Sequence, residues 1–188
     1  MNTATHLLTA AAALSRRGEP GRNAAVVVGA LLPDAWIFGF WGWHRVQGVP
    51  EWRLWRELYW QEPWQTVGAI ANSAPLAVTL LAAGFIARLP WLAVLGGAML
   101  IHLALDFPVH ADDAHRHLWP LSDWRFHSPL SYWDTRHHAG AVIWIEAALT
   151  AACLTLLWQR FDTRLPRAAL ALLAAGYVGA YAYFALVL

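Results

Sequence analysis

Across 188 residues the chain is 59% hydrophobic, with 13 basic and 12 acidic residues and a formal charge of +1, which is too apolar for a soluble globule and lacks the basic face that nucleic-acid binding needs. Every basic residue is arginine and the one cysteine, Cys153, lies in an apolar run. This excludes lysine Schiff-base chemistry, a P-loop lysine, a disulfide framework and CxxC redox or metal sites within the chain. The fold class that follows is all-α: one integral membrane domain over residues 1–188, a polytopic bundle of five to six helices.

Residues 3 to 16 read as a short helix, too short to span hydrocarbon about 30 Å thick at 1.5 Å per residue. Its arginines follow the apolar stretch rather than precede it, unlike a secretory signal peptide. A charged turn rich in Arg, Gly and Pro leads into Asn23 to Trp43, which is long enough to span. Pro33, beside Asp34 in GALLPDAW, is expected to kink or interrupt that helix, and broken helices are tolerated at membrane depth where they face protein or a wet cavity. His44 to Gln65 alternates charged residues with tryptophans and reads as an interfacial helix within an aromatic belt. Val67 to Ala87, Trp91 to Phe107, Ala139 to Trp158 and Ala168 to Leu188 are the further spans, separated by charged turns and by a long His/Asp-rich loop over 107–138.

That loop and the helix before it hold the unusual chemistry. Seven of nine histidines and five of seven aspartates fall between His102 and His138. If the short turns lie on one membrane face, helix rise places His6 and Asp34 roughly 15 to 18 Å deep, His102 roughly 18 Å, and Asp106, Glu146 and Asn72 about 21 to 24 Å. His102 and Asp106, four apart, share a helix face. Ionisable groups at such depth are costly unless paired or bound to a cation. His6, Asp34, His102 and Asp106 are therefore the expected metal ligands, and imidazole with carboxylate suits zinc, with manganese or iron as alternatives.

Around them, His110, Asp112, Asp113 and His127 are the expected catalytic groups. Asn72, His115, His117, Glu146, Asp134, His137 and His138 are expected to orient the ligands or to hold a second cation, and Arg125 or Arg136 to hold a phosphate. With no GxSxG elbow and no glycine-rich phosphate loop, metal-assisted hydrolysis is the natural reaction class.

ThrHis at 5 to 6, GALLPD at 29 to 34, and HLALD at 102 to 106 followed by a loop and TrpPro at 119 to 120 together resemble the LexA-regulated, inner-membrane-associated family of metal-dependent hydrolases. That family is distantly similar to zinc-dependent phospholipases. The resemblance implies a small polytopic protein in which His6, Asp34, His102 and Asp106 take ligand positions. The chain departs from the family's mid-chain HRxxTHS-like motif, carrying Asn72 and Ser73 in AIANSAPL instead, and an amide oxygen is a weaker donor than imidazole.

The expected function is thus a membrane-bound, metal-dependent hydrolase acting on a phosphoester or lipid-linked substrate at the interface. A metal-handling transporter, or a scaffold whose buried His and Asp only fix the helices, are the alternatives. Seven arginines flank the short turns and six the long loops, so positive-inside counting favours short turns in the cytoplasm of a bacterial-type inner membrane, with the pocket toward the outer side.

Overall fold

In the computed structural model, which describes residues 1–187, the regular structure is all helical, with no strand among those residues. Helix α1 spans Thr3–Leu14, α2 Pro20–Val46, the single turn α3 Glu51–Arg53, α4 Glu62–Ala71, α5 Ala74–Ile86, α6 Pro90–Asp106, α7 Ala139–Arg160 and α8 Arg164–Val187. A π turn, Leu54–Leu58, continues α3, and a 3-10 turn, Thr135–His137, precedes α7. Four segments are long and apolar enough to cross a membrane: Pro20–Val46, Glu62–Ile86, Ala139–Arg160 and Arg164–Tyr183. Large apolar side chains such as Phe85, Ile86, Trp144, Ile145 and Val178 face outward, as a lipid-facing surface requires. Of the last expected span, only Leu188 lies outside the described residues.

The interruption sits elsewhere than expected. Helix α2 runs through Pro33 unbroken, whereas the expected span from Val67 divides at Asn72 and Ser73, so the helices outnumber the five or six anticipated. The reason is local. Ser73 caps α5, its Oγ accepting from the Leu76 N–H at 3.1 Å, and Pro75 lies in the first turn, where its missing N–H costs nothing. Asn72 donates its side-chain amide to the carbonyls of Gly68 and Pro33, at 3.0 and 3.2 Å. The long loop fills the gap: the Ala74 N–H donates to His117 O at 2.8 Å, Ser73 Oγ to Trp119 O at 2.5 Å, and His117 Nδ1 to Asn72 O at 3.1 Å. Backbone freed at membrane depth is thereby satisfied by protein.

Helix α6 packs against α2, α5 and α1, and small residues let it approach closely, since van der Waals contact rather than hydrophobic exclusion holds helices together in lipid. Ala10, Ala25, Val26, Ala30, Val94 and Ala98 form the contact between α1, α2 and α6. A Cβ at Gly96 would lie 2.5 Å from Leu81 N and 2.7 Å from Ala77 O of α5. Both are backbone atoms that can yield only if the helices part. Gly96→Ala is expected to destabilise the bundle by about 1–3 kcal/mol, read as a lower melting temperature in detergent; an unchanged melt would refute this packing.

Arg160 of α7 closes the C-terminal end of α1. Its guanidinium donates to the carbonyls of Ala11, Ala12 and Ser15 at 2.9 to 3.1 Å, at the helix end where carbonyls run short of intrahelical donors. Cys153 is buried near Leu8, Leu157 and Leu170 as packing.

Candidate metal centre

The four residues expected as ligands converge from three helices. His6 and His102 are fully buried and their rings stack, centroids 3.6 Å apart with 10° between the planes. The His102 ring is oriented by its Nδ1–H, which donates to Ala30 O of α2 at 2.7 Å. Its Nε2 is hydrogen-bonded to Asp106 Oδ2 at 3.0 Å and lies 3.5 Å from Asp34 Oδ1. Asp34 is held in turn by Thr3, whose Oγ1 donates to Oδ2 at 2.5 Å.

Asp106 lies at the middle. Besides His102, its carboxylate meets His6 Nε2 at 2.8 Å and His110 Nε2 at 3.3 Å through Oδ1, which also pairs with the Met1 amino group. His110 follows Asp106 by four residues, just past the end of α6, and brings a second set of donors. Its Nδ1 donates to Asp113 Oδ2 at 2.9 Å, and that oxygen also accepts the Trp133 indole N–H at 3.0 Å. A carboxylate on one ring nitrogen with the other turned inward is the arrangement that orients a metal-binding histidine. Burial disfavours charge on His110, but the Asp113 and Asp106 carboxylates outweigh it and hold the ring up to about 9. Neighbouring His115 is pushed down to about 3, chiefly by desolvation and then by His110. Burial likewise lowers His117. The His115 ring is therefore neutral at pH 7, with a lone pair available to a cation.

Two groups of donors therefore adjoin. His6, Asp34 and His102 offer ligand atoms within 4.8 Å of one another, as do Asp106, His110 and His115, and Asp106 touches both. The residues fit a divalent cation by a further observation: neither ring nitrogen of His6 makes a hydrogen bond although the side chain is fully buried. The approach of Nε2 to Asp106 is close without the alignment an N–H···O bond needs. Buried polar atoms without partners are rare and call for an ion or water. Four imidazoles and two carboxylates match zinc, manganese or iron better than calcium or magnesium.

A third group, Asp112, Asp134 and His137, also lies within 4.8 Å, but Arg136 already neutralises it. The guanidinium reaches Asp134 at 2.6 Å and Asp112 at 3.2 Å. These residues, with the exposed His138 at the start of α7, stand outside the buried cluster.

Among the expected catalytic groups, only His110 faces the cluster directly. Asp113 orients it, Asp112 is exposed against Arg136, and His127 is exposed with Nδ1 donating to Ala111 O at 2.9 Å. Neither expected phosphate clamp is free: Arg136 serves the two aspartates, and Arg125 donates to Ala114 O at 2.6 Å and Gln65 Oε1 at 3.0 Å. Asn72 and His117 join the loop to the α4–α5 break. Glu146 is absent from the clustered donors and accepts instead from Asn2 N–H, Thr5 Oγ1 and Tyr181 Oη at 2.8, 2.7 and 2.5 Å.

Thr3, Trp133 and Tyr181 are supporting residues that the sequence reading missed. Thr3 alone left a signal, standing one helical turn before His6 on the same face of α1. No family model, curated protein or solved structure matches the chain.

Proposed function

We propose that this chain is a membrane-embedded, metal-dependent hydrolase that cleaves a phosphoester carried by a lipid or lipid-linked molecule, in a bacterial-type inner membrane with its pocket toward the outer side. The observation that carries the reading is the buried double cluster around Asp106, in which His6 has no hydrogen-bond partner. A scaffold of buried polar residues would be expected to satisfy them mutually. The likeness of the ThrHis, GALLPD and HLALD segments to metal-dependent membrane hydrolases supports the same reading, as does the slight excess of arginines at the short turns.

His6, Asp34, His102, Asp106, His110 and His115 would hold one or two cations, most simply zinc. When bound, such ions lower the pKa of a coordinated water toward about 7 and offset charge developing on a phosphoryl oxygen. The protein's part is orientation and exclusion of solvent. Ala30 O and Asp113 set the rings of His102 and His110, Thr3 sets Asp34, and the loop over 107–138 covers the donors from the long-loop face.

Protein purified in detergent is expected to contain about one to two equivalents of zinc, manganese or iron. His102→Ala should lose at least half of that metal together with phosphodiesterase activity. Purified protein that carries no metal and takes up none on titration would end the proposal. Metal flux in proteoliposomes without ester cleavage would favour transport instead.

A further inference from the structure

A cavity of about 550 Å³ opens beside the donors, within the roughly 300–1,000 Å³ typical of small-molecule sites. Asp34, His110, Asp113 and His115 form its polar end. Away from them the walls are apolar: Ile37, Phe38 and Trp41 of α2, Trp55 of the π turn, and Leu172 and Leu173 of α8. Farther along α8, Gly176, Ala180 and Tyr183 continue this lining at helical spacing. None of the lining residues is an arginine, so the cavity offers no guanidinium clamp to a soluble polyphosphate.

The contacts of α8 bear on how the cavity could be entered. Helix α8 packs on α1 and α7 and makes no extended contact with α2. Phe38 and Leu172, which line the cavity from α2 and α8, are 52% and 73% exposed, so part of its lining is apolar and reaches the surface. At the long-loop end the helices are tied together. Glu51 accepts from Trp41 Nε1, Trp55 Nε1 and Tyr183 Oη at 3.1, 3.0 and 3.1 Å, linking α2, the π turn and α8.

We propose that this cavity holds the aliphatic chain of a single-tailed phosphoester, which enters between α2 and α8 from the bilayer and presents its ester to Asp34, His110 and His115. The proposal rests on reading the cluster as hydrolytic, and deepens it by assigning the substrate's apolar half.

Gly176 provides the test. A side chain there meets no atom within 4 Å of its Cβ, and the same is true of Gly179, but only Gly176 lines the cavity. In lipid nanodiscs, bromododecyl phosphate should quench the tryptophans of the cavity wall, and excess dodecyl phosphate should reverse the saturable part. Gly176→Phe takes the room of several methylenes, each worth roughly fourfold in transfer from water, and should weaken this binding more than about tenfold. Gly176→Leu should weaken it less, and Gly179→Phe should leave it unchanged. Equal saturable quenching in wild type and Gly176→Phe, or none in wild type, overturns the tail site. Metal content read on the same samples separates the two ideas: saturable quenching in metal-free protein that takes up no metal sinks the hydrolase while the tail site stands.

Discussion

On the proposed function, Asp106→Asn is expected to empty both halves of the candidate metal centre at once, weakening metal binding by more than about a hundredfold, because changes one layer farther from a metal already cost 10- to 100-fold. Asp106 alone touches donors of both groups, facing His6 and His110 through Oδ1 and His102 through Oδ2. An amide keeps one acceptor oxygen but loses the negative charge and presents an N–H₂ to imidazoles that need a cation between them. His115→Ala, which removes a donor from one group only, should leave the His6, Asp34 and His102 side able to bind. The comparison is made by titrating metal into chelator-treated protein and by following the melting temperature with and without metal. Metal that binds only the native state raises the melting temperature, and that increment should vanish in Asp106→Asn and shrink in His115→Ala. An Asp106→Asn protein that keeps its metal would remove Asp106 from the centre.

Much of this centre was legible before any fold was known. His102 and Asp106 are four apart, and counting helix rise from the short turns brought His6 and Asp34 to a similar depth, which is how helices in one layer must meet. What could not be read was the division of labour in the loop. His110 stands four residues after Asp106, where α6 has already ended, and its role depends on where the chain turns back with Trp133 and Asp113. Asp112 and Asp134 looked as well suited by type as Asp113, but Arg136 folds onto them, a contact that reaches across 24 residues in one case.

The misplaced helix break has a similar cause. A mid-helix proline attracts notice because it removes a hydrogen bond, yet α2 passes Pro33 while His102 and Asn72 serve the neighbouring carbonyls of Ala30 and Pro33. The NSAP sequence at 72–75 did contain a helix start, with Ser73 as cap and Pro75 in the first turn. The start is hidden because apolar residues flank it on both sides.

Glu146→Ala is expected to lower stability by about 3–5 kcal/mol and to weaken metal binding, although Glu146 lies outside the clustered donors. Its carboxylate is fully buried and accepts from the Asn2 N–H, Thr5 Oγ1 and Tyr181 Oη. Removing it strips the Asn2 N–H and Thr5 Oγ1 of a buried acceptor, each costing about 1–3 kcal/mol when unsatisfied, with Thr5 partly relieved by Thr150 at 3.0 Å, and it takes a partner from Tyr181 as well. Asn2 caps α1 and Thr5 immediately precedes His6, so the same loss frees the helix start that sets both His6 and Thr3. Glu146→Gln retains one acceptor oxygen and should recover part of both properties, because Tyr181 can accept from the new amide. A melt in detergent measures the stability, and metal titration of the same variant measures the coupling. If Glu146→Ala melts lower yet binds metal as wild type does, Glu146 supports the bundle without positioning His6.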